Sequence, residues 1–325
     1  MFVFFHIIKI ILFENEIILL NSPLQFLNYI EYKNRTSLKS EIIRKKKILV
    51  GFSIEGREYE KILHLVELLK FKDTQIFRLK ENIPAAIFLK IINLRGMIKK
   101  YNKLIIGDYN SYISSELYKL SNQVLMLDDG TNSLNFKKHF NLDKKKLEIF
   151  SIFKKNIFNH KKTSFNNFSY LKSFIKKQHI KKYIILLGSA DVEKNLITLQ
   201  GYFNILKKVE KKNPKQKILY FPHPKEKYEN YSIYGFKILK TKKNIETFLV
   251  FEKFLPNKII GFNSTAFVTI HSIYGKKIKL RNYSILSNNN FNKRIDKFRS
   301  YYNKIPIYFK KKMGISTSVI IIPNT

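Results

Sequence analysis

The sequence predicts an α/β protein made of two parallel-sheet domains that face one another across a cleft. Three observations lead there. Short apolar runs alternate with helical patterns from residue 17 to about residue 127. The alternation then fades from Asn135 to Lys182, and from Tyr183 it restarts and continues past Ser264. Strands at that spacing, with helices between them, pair in parallel. At roughly 100–200 residues per domain, 325 residues also suggest two domains. The expected division is an N-terminal α/β domain over 1–135, a crossing segment over 136–180 and a C-terminal α/β domain over 181–325.

In the first half, Ile17–Leu20 reads as a strand that ends at Asn21-Ser22-Pro23, followed by a helix with Leu24, Leu27 and Ile30 on one face. Ile48–Phe52 is the second strand, and Ile62, Leu65, Val66 and Leu69 mark the helix after it. Gln75–Leu79, Lys103–Ile106 and Val124–Leu127 complete the strands, with helices over Ile87–Ile98 and Ile113–Leu120 between them. In the second half the strands are Tyr183–Leu187, Lys217–Phe221, Phe236–Leu239 and Lys258–Gly261. Helices are expected over Leu196–Val209 and Ile245–Phe254, and a third starts at Ser264. From Asn135 to Lys182 the chain is rich in Lys, Phe, Asn and His without a clean period, which reads as a solvated connection.

Hydrophobic residues make up 45% of the chain and aromatics 14%, enough to exclude disordered and collagen-like classes. The absence of cysteine excludes disulfide scaffolds, thiolate zinc sites, iron–sulfur clusters and cysteine nucleophiles. It also fits a reducing compartment. The formal charge is +37. The basic residues are mostly Lys, scattered in clusters such as Lys45-Lys46-Lys47 and Lys144-Lys145-Lys146, in a chain rich in Ile and Asn. That profile is what A/T-rich codons produce. It argues against nucleic acid as a partner and leaves open a basic face beside anionic lipid or a polyanionic substrate. Met1–Phe13 is apolar but interrupted by Glu14-Asn15-Glu16, too short to span a bilayer and without a cleavage site. It reads as an extra strand or helix, or as an interfacial anchor. The expected location is cytoplasmic, peripheral to the inner membrane.

A parallel sheet presents its chemistry just beyond the carboxyl ends of its strands. Four such places carry polar groups: Asp128-Asp129-Gly130, Gly188-Ser189-Ala190-Asp191, His223-Pro224 and Asn263-Ser264-Thr265. His223 lies between Pro222 and Pro224, which stiffen its backbone. It can donate to an anionic leaving group or simply pack as a turn residue. Ser264 and Thr265 precede a helix, where they can hold phosphate or act as ordinary caps. Asp191 follows a tight turn and can accept a proton. Asp128 and Asp129 can do the same, bind a divalent cation, or form a turn with Gly130. No G-x-x-x-x-G-K-[ST] or G-x-G-x-x-G run is present.

The runs LDDGTNSL (Leu127–Leu134), ILLGSADVE (Ile185–Glu193), YFPHPKE (Tyr220–Glu226) and NSTA (Asn263–Ala266) resemble the motifs of bacterial sialyltransferases. The resemblance is to the lipooligosaccharide sialyltransferases of glycosyltransferase family 52, and IILLNSPLQFLNYIE (Ile17–Glu31) is similar to that group's first strand and helix. The acidic-Gly and His-Pro runs are shared with neighbouring sialyl- and polysialyltransferase families. The resemblance implies two Rossmann-like domains in the GT-B arrangement, with acceptor bound by the first and donor by the second. It implies an inverting, metal-free transfer from CMP-sialic acid to a terminal galactose of a surface glycolipid, with no cofactor. In that frame Asp191 is the base and His223 the acid. Gly188, Ser189, His223, Pro224, Ser264 and Thr265 bind CMP and its phosphate, and Glu246 in NIETFLV binds the ribose. Asn263-Ser264-Thr265 stands where the family has a Ser-Gly type of sequence. The resemblance leaves a homodimer open. The competing expectations are a capsular polysialyltransferase or related nonulosonate transferase and, in another class, a non-catalytic basic protein binding polyanions or a membrane surface.

Overall fold

In the computed structural model the described residues are 2–36, 46–52, 54, 56–71, 74–108, 111–128, 130, 133, 146–153, 160–227, 236–287 and 305–322. They form an α/β chain that divides into two compact units, Met1–Tyr170 and Leu171–Thr325.

The first unit holds a seven-stranded sheet. Its strands are β1 (Glu16–Leu20), β2 (Lys46–Val50), β3 (Thr74–Arg78), β4 (Tyr101–Ile106), β5 (Ser121–Leu127), β6 (Leu147–Ser151) and β7 (Thr163–Phe165). They pair in the order β3-β2-β1-β4-β5-β6-β7, and every pairing is parallel. Ile17–Leu20 and Leu104–Ile106 are buried, as strands covered on both faces require. A helix over Phe2–Phe13 leads into β1, and one over Ala85–Ile98 leads into β4.

Two strands of this sheet, β6 and β7, lie within the segment 136–180 that the sequence reading treats as a crossing. The β6 run Leu147–Ser151 pairs with β5 from Val124↔Leu147 to Leu127↔Phe150. Its inward residues Leu147, Ile149 and Phe150 are buried, so this stretch is core rather than solvated connection. Residues 134–145 and 154–159 lie outside the described residues. The apolar N-terminus takes the helical one of its expected forms.

The second unit holds a six-stranded sheet of β8 (His179–Leu187), β9 (Lys217–Phe221), β10 (Lys237–Ile238), β11 (Phe254–Gly261), β12 (Lys279–Ser287) and β13 (Ser316–Ile322). The order is β10-β9-β8-β11-β12-β13, again all parallel. The helix Leu199–Lys211 shows why this half packs. Thr198 caps it by accepting from Gly201 N–H, and Tyr202, Phe203, Ile205, Leu206 and Val209 recur at three- and four-residue steps on its buried face. They pack with Ile184, Leu186, Tyr220, Ile260, Phe262 and Tyr283 in one core. The helix expected over Ile245–Phe254 stops at Phe251, because Phe254 already opens β11. Strand β11 tolerates Pro256 at a register shift between Pro256 and Lys258.

In both sheets the strand order reverses direction beside the first strand made, between β1 and β4 and between β8 and β11. Helices diverge to opposite faces at such a point and leave a crevice at the carboxyl ends of the strands.

Candidate functional site

The pairing registers bring the predicted residues of the second unit onto one rim. Leu187 pairs with Phe221, and Leu186 pairs with Ile260. Gly188, Pro222 and Phe262 therefore leave the sheet at one level. Behind them come Ser189 and Asp191 from β8, His223 and Pro224 from β9, and Ser264 and Thr265 from β11. The segment after β10 reaches the helix Ile245–Phe251, whose first turn carries Glu246. Phe248 of that helix packs edge-to-face on Phe221 with ring centres 5.7 Å apart. Four adjoining strand ends, β10-β9-β8-β11, thus supply the whole set, across about 14 Å at the usual strand spacing.

Glu226 holds two of these turns together. It is 1% exposed, three residues beyond His223. Its Oε1 accepts from Ser189 N–H at 2.8 Å and from the Tyr220 hydroxyl at 2.7 Å, and its Oε2 accepts from His223 N–H at 2.7 Å. Glu226 N–H in turn donates to His223 O at 3.0 Å. Ser189 N–H also lies 3.1 Å from the Tyr202 hydroxyl, which meets the Tyr220 hydroxyl at 3.1 Å. A side chain at Gly188 would run into Glu226 Oε2 and Tyr220 Oη, so glycine there lets the carboxyl reach the turn. Burial pushes the Glu226 carboxyl up to about 8, with its three donors pulling it back only in part. The sequence reading quotes Glu226 within the His-Pro run but gives it no role. A carboxylate three residues after a proline-flanked histidine is the signal that could have drawn attention to it.

His223 is half-buried. Its Nδ1 accepts from Lys225 N–H at 3.2 Å. With Nδ1 held as an acceptor, the neutral ring carries its proton on Nε2. Asp191 is also half-buried and sits in the turn that closes onto the next helix through Leu196 N–H donating to Asp191 O at 2.8 Å.

The turn after β11 is shaped from the neighbouring strand. Asn263 has φ +48°, in the left-handed region where asparagine is tolerated. Asn282 on β12, fully buried, accepts from Asn263 N–H at 2.7 Å and donates to Asn263 Oδ1 at 3.0 Å. This reciprocal pair fixes the entry to the helix Ala266–Tyr274. Thr265 makes no side-chain cap hydrogen bond there, so the helix start is not closed by its hydroxyl. Glu246, in contrast, is 6% exposed and lies on the buried side of its helix.

The acidic run of the first unit has a different character. Asp128 is 1% exposed at the end of β5. Its carboxylate accepts from the hydroxyls of Ser133 at 2.6 Å and Ser151 at 2.7 Å and from Ile152 N–H at 2.9 Å. Its backbone carbonyl accepts from Asn28 Nδ2 at 3.0 Å. Burial raises the carboxyl to about 6 against those hydrogen bonds. Asp128 thus ties the end of β5 to the end of β6, the structural one of the uses open to it from the sequence. Gly130 takes φ +67° in the turn that follows, and Asp129 lies outside the described residues. Among the described residues, no three carboxylate or imidazole side chains gather as a metal-binding group.

No family model matches the chain, and no curated protein matches it. Among solved structures the chain is similar to the sialyltransferase from Photobacterium damselae, residues 113–497 corresponding to the GT-B domain. The match has 11% identity over 94% of this chain and 100% of that chain, with a TM-score of 0.47. The strand order, rather than this likeness, carries the fold.

Replacing Glu226 by Ala removes an acceptor from the Tyr220 hydroxyl and from two backbone N–H groups, while Ser189 N–H and the Tyr220 hydroxyl keep the Tyr202 hydroxyl in reach. The change should lower stability by about 1–3 kcal/mol in urea unfolding. The pH dependence has a definite sign. An unfolded glutamate gives up its proton near its ordinary value, whereas the folded one keeps it to about 8. Folding stability should therefore fall as pH rises from about 6.5 to 8, a window above the Asp128 titration. Urea midpoints measured at three pH values should show this slope in the wild type and little of it in Glu226→Gln. An equal slope in both proteins would remove Glu226 as its source.

Proposed function

We propose that the chain is an inverting glycosyltransferase that moves sialic acid from CMP-sialic acid to a terminal galactose of lipooligosaccharide or a similar surface glycan. One observation carries the reading. The turns that carry Gly188, Ser189, Asp191, His223, Pro224, Ser264 and Thr265, which the family resemblance names, follow three adjoining strand ends at a strand-order reversal. A basic polyanion-binding protein has no reason to gather an aspartate, a proline-flanked histidine and a hydroxyl-bearing helix start there.

In this mechanism Asp191 takes the proton from the acceptor hydroxyl as its oxygen attacks the anomeric carbon. The bond from that carbon to the CMP phosphate oxygen breaks on the opposite face. His223 Nε2–H donates a hydrogen bond to the departing oxygen as it gains charge. A phosphate monoester has its second ionisation near about 6, so CMP can leave without a full proton transfer. The Ser264 and Thr265 hydroxyls, with the first N–H groups of the helix Ala266–Tyr274, hold the phosphate. Gly188 and Ser189 admit the donor closely, and Pro224 stiffens the histidine turn. Glu246, buried in the first turn of its helix, is the residue the family resemblance assigns to the ribose hydroxyls. No step requires a metal or cofactor.

Incubating the protein with CMP-sialic acid and a panel of labelled galactosides, followed by linkage analysis, tests the reaction class. No transfer to any galactoside, with no CMP released, would reject it. His223→Ala should slow turnover by about two to four orders of magnitude with the fold retained, and near wild-type turnover would refute the role of its Nε2–H. Asp191→Asn should lower kcat far more than it weakens CMP binding, because the base acts in the transition state. Single-turnover rates beside CMP titrations separate the two effects. Transfer should also persist in excess EDTA; loss restored by magnesium or manganese would overturn the metal-free route.

A further inference from the structure

The amino edge of the first sheet carries the most exposed apolar side chains of the described residues beside a concentration of lysines. The helix Phe2–Phe13 runs into β1, and the helix Ala85–Ile98 runs into β4, the neighbour of β1. Both Asn102 N–H and Lys103 N–H donate to Asn15 O, at 2.9 and 3.2 Å, so the two helix ends lie side by side over that edge. There Phe13 is 71% exposed, Met97 85% and Ile98 65%. Lys99 and Lys100 follow directly, both exposed.

The same edge continues as a groove lined by Lys103, Gln123, Lys146, Glu148 and Lys162. Among the described residues the acidic groups on this edge are Glu14, Glu16 and Glu148, and Glu14 is paired with Lys47 at 2.5 Å. Lysine therefore outnumbers carboxylate here. Neither helix contains an aspartate or a glutamate. Both are apolar on more than their buried faces, with Phe5 on the first and Leu94 on the second also exposed.

We infer that this edge docks on an anionic lipid bilayer. Phe13, Met97 and Ile98 would enter the headgroup–acyl boundary, and the exposed Lys99 and Lys100 would meet lipid phosphates, with the groove lysines adding to the positive field. Charge selects this occupant over a second copy of the chain, which would set lysine against lysine. Length selects lying on the bilayer over crossing it. No helix among the described residues is long and apolar enough to cross, and twelve residues of helix rise only about 18 Å. The inference is independent of the reaction proposed above.

Vesicle co-sedimentation of the full chain tests it, using phosphatidylcholine vesicles with and without phosphatidylglycerol. The wild type should partition onto the anionic vesicles, less so at high salt, and scarcely onto phosphatidylcholine alone. The double variant Phe13→Glu, Met97→Glu should lose about tenfold in partitioning with unchanged circular dichroism and unfolding temperature. If that variant unfolds, Lys99→Glu with Lys100→Glu decides by the same criterion. Absence of wild-type binding overturns the inference, as does binding that neither variant weakens or that is equal on both vesicles. Self-association of the wild type abolished by Phe13→Glu, Met97→Glu would assign the edge to a second copy instead.

Discussion

The arrangement at the rim of the second sheet hangs on one buried carboxyl group. Glu226 accepts from Ser189, Tyr220 and His223, and so locks the turn after β8 to the turn after β9. Neither turn is regular secondary structure, and neither has a sheet ladder to hold it. Without the carboxyl, two buried N–H groups and a hydroxyl would lack these acceptors, a cost of about 1–3 kcal/mol for each group left unsatisfied. Because the two oxygens of one carboxyl serve the two turns, Ser189 and His223 cannot drift apart independently. The histidine's orientation rests on this tie and on the 3.2 Å hydrogen bond from Lys225 N–H to Nδ1.

The first unit uses the same device with a different residue. Asp128 joins the ends of β5 and β6 through Ser133, Ser151 and Ile152, as Glu226 joins β8 and β9. In each case hydroxyls and a backbone N–H surround a carboxyl whose burial works against ionisation. Neighbouring parallel strands have no hairpin between them, so their loops need side chains to bind them together. Asp128 and Glu226 are thus both engaged in holding adjoining strand ends together.

How much of this was legible in the sequence depended on whether the signal was local. Strands such as Lys217–Phe221 and Tyr183–Leu187 announce themselves as apolar runs, and polar residues directly after them mark the rim. β6 escaped because LEIFS is short and sits among Lys, Phe and Asn, and its burial comes only from pairing with β5. Glu226 escaped because Ser189, which it ties to the histidine turn, lies 37 residues earlier in the chain. Asn282 is hidden in the same way: its partner Asn263 lies on the neighbouring strand end, 19 residues earlier. Asp128 was visible as a residue, with a turn, a base and a metal ligand all open, but its partners Ser151 and Ile152 were not, since they reach it from beyond a stretch without clear period.

The parallel order also constrains how the chain is made. β1 pairs with β2 and β4, so the central strand of the first sheet leaves the ribosome long before its second neighbour exists. At about 5–20 residues per second, β4 follows β2 by several seconds, during which one edge of an apolar strand stays open. β8 faces the same wait for β11. The strand around which each sheet is organised is synthesised first and enclosed late. Nascent-chain chaperoning and the pace of translation across those two intervals therefore bear directly on the yield of this protein.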